Sequence, residues 1–286
     1  LQLFVAVVET GSIAAASERE HLAAAAVSRR VAELEEQLAT PLLIRHARGV
    51  EPTAAGFALR DLARQALHLL DDLPAQLRDY ATGVRGQVRV FANISSITQF
   101  LPADLASFAR AHPGVRIRLE ESNSLDTVRA VEENAADLGV YTAFAHGDGV
   151  QSLPYRGDRL CLVVPRRHPL AGARPVAFRE LLDEPFVGLR TGSAINLLLA
   201  GEAARLGRTL RLSIQVTGFD ALCLMVERGF GIGVVPEGVF RLYSAALELD
   251  TVALQDDWAR RELRLAVRHS AQLPAAAQRL LAHLQA

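Results

Sequence analysis

Five side chains in the first 50 residues, Ser28, Arg29, Arg30, Arg45 and Arg48, have the types and spacing to hold a nucleic acid. A guanidinium grips a phosphate or a guanine edge with two parallel N–H donors, and a serine hydroxyl meets either partner. Arg29 and Ser28 are the candidates for bases; Arg30, Arg45 and Arg48 are the candidates for phosphates. Further on, Asn93-Ile94-Ser95-Ser96 and Arg190-Thr191-Gly192-Ser193 each follow an apolar run. They offer hydroxyls, amides and a guanidinium where open α/β sheets hold small ligands, at strand carboxyl ends against helix N-termini. Phe219-Asp220, at a third helix start, is a further candidate.

Reactive constellations of other kinds do not emerge. The chain has no GxSxG elbow, no HExxH and no phosphate-loop sequence. The glycines of Gly229-Phe230-Gly231-Ile232-Gly233 lie between a helix and the strand that follows it, the reverse of the order a phosphate loop needs, so they read as a helix stop and close backbone packing. Glu120-Glu121, Glu132-Glu133 and Asp256-Asp257 are neighbours in sequence, which turns their side chains apart. The eight His are scattered, so no structural zinc is expected. Cys161 (LCLVV) and Cys223 (LCLMV) sit in apolar runs and read as buried thiols. These readings predict no catalysis, metal or cofactor.

The elements that position the first set lie within Ser12–Leu38. Ser12 after Gly11 is an N-cap, Ile13 to Arg19 is a short Ala-rich helix, and His21-Leu22-Ala23 is the turn. In the second helix Val27, Val31, Leu34 and Leu38 are spaced four, three and four apart, a narrow arc that predicts the core face. Ala25, Arg29, Ala32 and Glu36 point the opposite way, with Ser28 and Arg30 on the flanks, a surface that fits a major groove. Net charge does not advertise this, since the first 60 residues hold six Arg against seven Glu; placement has to.

Around this pair, Leu3, Phe4, Val7 and Val8 form the apolar side of a first helix, and Pro41 to Ile44 begins a hairpin that turns around Arg45, His46 and Arg48 and ends at Gly49. Thr53 caps a helix in which Leu59, Leu62, Ala66, Leu69 and Leu73 repeat at three and four residues, the seam of a coiled coil. Pro74 ends or kinks it, and residues 81–86 read as a linker.

Ser12–Leu38, with LQLFVAVVETGS before it and RHARGVEPTAAG at 45–56 after it, resembles the helix-turn-helix of LysR-type transcriptional regulators. The resemblance implies a winged unit reading double-stranded promoter DNA over 1–58, a dimerisation helix and hinge over 59–85, and an effector-binding domain over 86–286. Where the family commonly carries Ser-Gln-Pro at the turn into the recognition helix, this chain has Ala23-Ala24-Ala25. That removes a side-chain cap, at a cost of about 1 kcal/mol, and leaves sequence choice to Ser28, Arg29, Arg30 and DNA shape.

From Gln87 onward short β-rich runs (Val88–Phe91, Val115–Leu119, Leu138–Val140, Leu160–Val164, Phe186–Leu189, Leu212–Val216, Ile232–Val235 and Leu263–Val267) alternate with helical stretches near 100–111, 124–134, 194–206, 219–228 and 274–284. That order predicts an α/β domain with a mainly parallel sheet. The resemblance adds two lobes of periplasmic-binding-protein type, about 87–156 with 257–286 and about 157–256. It also makes Ser95, Ser96, Thr191 and Ser193 effector-binding residues, to which Phe219 is added. The effector expected there is a small carboxylate, and the further partners are a second copy of the chain, as dimer or tetramer, and RNA polymerase.

With 286 residues, half of them hydrophobic, and a net charge of −1, the chain reads as two or three compact units of a cytoplasmic protein, with no apolar run long enough to span a membrane. All 31 basic residues are Arg, which codon bias explains. Two competing functions stay open at this point: a solute-binding protein or binding-fold enzyme, which the last 200 residues alone permit, and a regulator answering to redox or to a partner protein.

Overall fold

Ser12 caps its helix as its place after Gly11 predicts, the hydroxyl accepting from the Ala15 N–H at 3.3 Å. In the computed structural model, which describes residues 1–46, 49–64, 66–67, 70, 86–143, 149–172, 174–270 and 273–286, the chain falls into two units, one over Leu1–Gly86 with Glu133–Ala135 and one over Gln87–Glu132 and Ala136–Ala286.

The first unit runs α1 (Gln2–Thr10), α2 (Ile13–Arg19), α3 (Ala24–Gln37), an antiparallel hairpin of β1 (Leu43–His46) and β2 (Gly49–Pro52), and α4 over 54–64. Its core gathers Phe4, Val7, Ala16, Val27, Val31, Leu42, Leu43 and Val50, with Leu34 partly buried against it. Three of the four residues expected on the inner face of α3 are therefore inside. Leu38 is not; it is 46% exposed. The helix stops one residue short of it, and Ala39 turns left-handed at φ 48°. The Ala39 and Thr40 N–H groups then close a Schellman motif on the carbonyls of Glu36 and Glu35, both at 3.1 Å, so Leu38 leaves the helical stripe. Thr53 caps α4 through the Gly56 N–H at 3.0 Å and donates its own proton to the Pro41 carbonyl at 2.8 Å. Of the expected coiled-coil seam, Leu59 packs on this core and Leu62 is 63% exposed. Leu69, Leu73, Pro74 and the linker over 81–85 lie outside the described residues.

The second unit carries one sheet in the order β4 (Val115–Glu121), β3 (Gly86–Ala92), β5 (Leu138–Thr142), β11 (Arg260–Val267), β6 (Gln151–Pro165), β9 (Ile232–Pro236), β7 (Phe186–Leu189), β8 (Leu212–Val216), with β10 (Leu249–Ala253) also on β6. The strand β6 has 15 residues, roughly 50 Å of chain. It pairs with β11 from Gln151 to Arg159, then with β9 and β10 from Leu160 onward, so it is shared by both halves of the sheet. Those pairings are antiparallel, as is β11 with β5, whereas β3 with β5 and β7 with β8 and β9 are parallel. The sheet is mixed rather than mainly parallel. The first half of β6 reads QSLPYRGDR, with no β-rich run to announce it, and β10 lacks one too.

Helices α5 (Ile94–Gln99), α6 (Leu101–Ala111), α7 (Ser124–Glu132), α8 (Ala194–Arg205), α9 (Phe219–Glu227), α10 (Glu237–Tyr243) and α11 (Ala275–Gln285) flank the sheet. Beside α8 and α9 the core is Leu160, Leu162, Phe178, Phe186, Leu222, Val226, Val234 and their neighbours; on the other half Val88, Val90, Phe108, Leu138, Val140, Leu263 and Leu280 are buried. The glycines after α9 act as the sequence predicts. Gly229, at φ 80°, is the left-handed residue of a Schellman stop, and a Cβ on Gly231 would lie 2.2 Å from the Pro185 carbonyl oxygen.

Candidate functional site

Two sites emerge, one in each unit. In the first, α2 ends in a Schellman motif: His21 at φ 54° closes on the Glu18 carbonyl at 3.3 Å and Leu22 on the Ser17 carbonyl at 3.0 Å. Ala23 then starts α3 without a side-chain cap. With Val27 and Val31 fully buried, the opposite face is left open: Ala25, Arg29, Ala32 and Glu36 are exposed, Arg30 is exposed and Ser28 half-buried. Arg29, whose side chain is 75% exposed, leans on Glu33 at 3.4 Å, a surface pair worth well under about 1 kcal/mol and easily exchanged for a phosphate or a base.

The hairpin is seated beside this face by two side-chain contacts. Glu35 Oε1 accepts from the N–H groups of Leu42 and Leu43 at 2.7 and 3.0 Å, tying the strand entry to α3. Arg45 Nη1 donates to Ser28 Oγ at 3.0 Å. Ser28 and Arg45 thus belong to one surface. Arg30 lies on the other flank of α3, in a groove with Gln2, Glu20 and Leu22 that Arg29 also borders. Arg48 lies outside the described residues. The role of Glu35 was not legible in the sequence, because a Glu eight residues before a strand looks like any solvated helix residue. Behind the site, Glu9 Oε2 accepts from Arg19 Nη1 at 2.6 Å and Glu9 Oε1 from Arg64 Nη2 at 2.5 Å, joining α1 to α2 and α4. Burial alone raises the Glu9 carboxyl, but the two guanidinium groups outweigh it and hold the carboxyl below the usual range.

In the second unit the ends of β3, β4, β7 and β8 converge on one pocket, lined by Asn93, Ile94, Ser95, Glu121–Ser124, Leu189, Arg190, Ser193, Ala194, Ile195 and Thr217. The free volume within it is about 20 Å³, room for about one water. One bond across it is the ion pair of Arg190 with Glu121 at 3.7 Å, both half-exposed.

The pocket draws in Ser95 and Ser193 but not Ser96, Thr191 or Phe219. Ser96 is fully buried and its hydroxyl donates to the Asn93 carbonyl at 2.8 Å. Thr191 is exposed, and Phe219 belongs to the core under α9. Ser193 caps α8 by accepting from the Asn196 N–H at 3.2 Å.

Two asparagines hold the walls, Asn93 from a stretch that sequence reasoning singled out and Asn196, which it passed over. Asn93 donates to Ser124 Oγ at 3.2 Å and Thr142 Oγ1 at 3.0 Å while its Oδ1 accepts from the Ser96 N–H at 3.0 Å. Asn196 brackets the backbone of Leu189, accepting its N–H at 3.2 Å and donating to its carbonyl. Gly188 permits this approach, since a Cβ there would meet the Asn196 amide at 3.0 Å. The inventory at the pocket is rich in donors. Ser124 Oγ already accepts from Asn93 and from the Thr142 N–H at 3.1 Å, so its proton is available. The first N–H groups of α8, on Ala194 and Ile195, have no intrahelical acceptor. Such a surface suits a ligand that accepts, a carboxylate above all.

Cys161 and Cys223 are buried and neither is in a disulfide. Burial, then Glu237 and Cys223, push the Cys161 thiol up to about 12; burial, then Asp220, push Cys223 to about 12. Among the described residues no group of His, Cys, Asp and Glu could hold a metal ion, and no helix is long and apolar enough to cross a membrane.

The chain matches the family model for the LysR substrate binding domain over residues 81–286 and that for the bacterial regulatory helix-turn-helix protein, lysR family, over residues 1–57. It is 29% identical over 251 residues to the RuBisCO operon transcriptional regulator of Allochromatium vinosum, covering 88% of this chain and 81% of that one. Among solved structures it is similar to full-length CbnR complexed with its target DNA, with a TM-score of 0.68 and 23% identity, over 99% of this chain and 97% of that one. The Synechocystis PCC6803 CcmR regulatory domain in complex with 2-PG is similar over 70% of this chain and 96% of that one, with a TM-score of 0.64 and 22% identity. The two structural likenesses show the fold.

Proposed function

The chain belongs to the LysR family of bacterial helix-turn-helix regulators, and we propose that it grips promoter DNA through Ser28, Arg29, Arg30, Arg45 and Arg48 and answers to a small anionic metabolite held in the cleft of its second unit. It is a transcriptional regulator with a DNA-binding helix-turn-helix and an effector-binding domain. What remains to be assigned is which side chains do the work and for which ligand.

The observation that carries the DNA reading is the open outer face of α3, where Arg29 is exposed and Ser28 and Arg45 stand together. An α-helix of this kind enters the major groove, and the hairpin follows the adjacent backbone. Ser28 and Arg29 take bases; Arg30, Arg45 and Arg48 take phosphates. Leu62, exposed on a single chain, supports pairing of two copies along α4, which sets two winged units on a twofold axis over two half-sites. At a promoter the further partner is RNA polymerase.

The ligand reading rests on the donor-rich pocket between the ends of β3, β4, β7 and β8. A carboxylate answers Ser95, Ser124 and the α8 N-terminus together, with Arg190 exchanging Glu121 for the ligand as the cleft opens. Binding then favours one arrangement of the chain over another in proportion to its differential affinity.

Titration calorimetry of the full chain with small carboxylates, paired with sequencing of the genomic fragments it retains, tests both halves. Selective retention of a few promoter fragments, shifted by one carboxylate, is the expected result. Retention of all fragments alike, or no response to any member of the panel, overturns the corresponding half.

A further inference from the structure

Behind the cleft, on the two antiparallel strands that meet there, Arg261 of β11 and Asp158 of β6 stand opposite one another. Both side chains are 3% exposed. Arg261 Nε donates to Asp158 Oδ1 at 2.9 Å and Nη2 to Oδ2, a side-on fork that spends one edge of the guanidinium. Nη2 also donates to Ser95 Oγ at 3.3 Å, and Ser95 is one of the residues that line the cleft. Gln99 Nε2 ties the unit together, at 2.9 Å from Asp158 Oδ2 and 3.1 Å from the Ser95 carbonyl. Arg261 Nη1 is buried with no hydrogen-bond partner among the described residues.

A serine hydroxyl has one proton and two lone pairs. With a cation filling one lone pair, the proton turns away from the guanidinium and becomes a stronger donor. We propose that Arg261 is a positioning residue for the effector: it commits the Ser95 hydroxyl to donating into the cleft and so selects ligand groups that accept, an oxyanion above all. This rests on the cleft reading given above.

The test is calorimetry on the full chain with benzoate, succinate and inorganic phosphate, and with benzyl alcohol and benzylamine as counterparts without an oxyanion. The variants are Ser95→Ala, the paired swap Asp158→Leu with Arg261→Met, and all three substitutions together. Replacing a buried ion pair by apolar groups of similar volume preserves folding, which thermal unfolding verifies; Arg261→Lys, which keeps the charge but not the fork, is the second route if it does not. Ser95→Ala and the paired swap are each expected to weaken the best anion about tenfold, with no further loss when combined, because one hydroxyl carries both effects. Losses that multiply, or a swap that leaves anion affinity unchanged, overturn the role of Arg261 while the cleft reading stands. If neither anions nor their counterparts bind the unaltered chain, the cleft reading falls and this inference with it.

Discussion

Arg45 Nη1 reaches from the hairpin to Ser28 Oγ on α3, 3.0 Å away, so the two elements proposed to meet DNA already hold each other in the free chain. Ser28 accepts in this bond, and its own proton is left to meet an acceptor on a base edge or a phosphate. Arg45 keeps further donors for the backbone. Arg45→Ala is expected to weaken binding to every duplex about equally and to lower the slope of log affinity against log salt by about one. A filter-binding salt series on a promoter fragment and an unrelated duplex measures both; an unchanged slope counts against Arg45 as a phosphate contact.

The end of α3 carries a removable strain. Ala39 sits at φ 48° in the left-handed position of a Schellman motif, where glycine is at ease and an L side chain costs about 1–2 kcal/mol. Ala39→Gly is expected to stabilise the chain by about 0.5–1 kcal/mol once the greater freedom of the unfolded glycine is subtracted. Urea unfolding monitored on the full chain gives the difference, and destabilisation would show that the turn is not left-handed in solution.

Glu9 brings a pH dependence. Its carboxyl is held below the usual range by Arg19 and Arg64 against the opposing effect of burial, so the contribution is complete above the unfolded carboxyl pKa and disappears as pH falls through the folded one. Its partners are partly exposed, which limits the effect to about 1 kcal/mol or less. The melting temperature of Glu9→Gln should lie below that of the unaltered chain at pH 7 and converge with it in the acid range. A gap that persists unchanged down to pH 3 would contradict this.

The thiols are expected to be inert while the chain is folded. Burial, with acidic neighbours, pushes both Cys161 and Cys223 up to about 12, leaving almost no thiolate at neutral pH. Timed alkylation should modify both only on unfolding. Rapid native labelling of either would revive the reading in which the regulator senses oxidants.

The helical period made α3 legible, since Val27, Val31 and Leu34 turned inward as their spacing required. The period says nothing of where a helix stops, which is why Leu38 was expected inside and lies out. Strands with β-rich runs were visible, and Phe186–Leu189 and Leu212–Val216 fall where their composition put them. The polar first half of β6 was not, because Gln151–Arg159 earns its strand state from pairing with β11, a tertiary effect that overrides local preference. At the cleft, loops between strand and helix pointed to Ser95 and Ser193. Nothing local separates Ser96, whose hydroxyl is taken by its own cap, from Ser95 beside it. Asn93 acts by holding the hydroxyls of Ser124 and Thr142, and Asn196 by bracketing the backbone of Leu189, roles that become visible only when the segments meet.

Arg29 is proposed to face a duplex from the open side of α3. Competition binding with the full chain, at one fixed salt concentration, compares a retained promoter fragment with a scrambled duplex for the unaltered protein and for Arg29→Ala. The unaltered protein should prefer its promoter by about 10³-fold or more, and Arg29→Ala should lose roughly 10- to 100-fold of that preference while keeping its affinity for the scrambled duplex. An Arg29→Ala protein that discriminates as well as the original would contradict the assignment of α3 as the element that reads DNA.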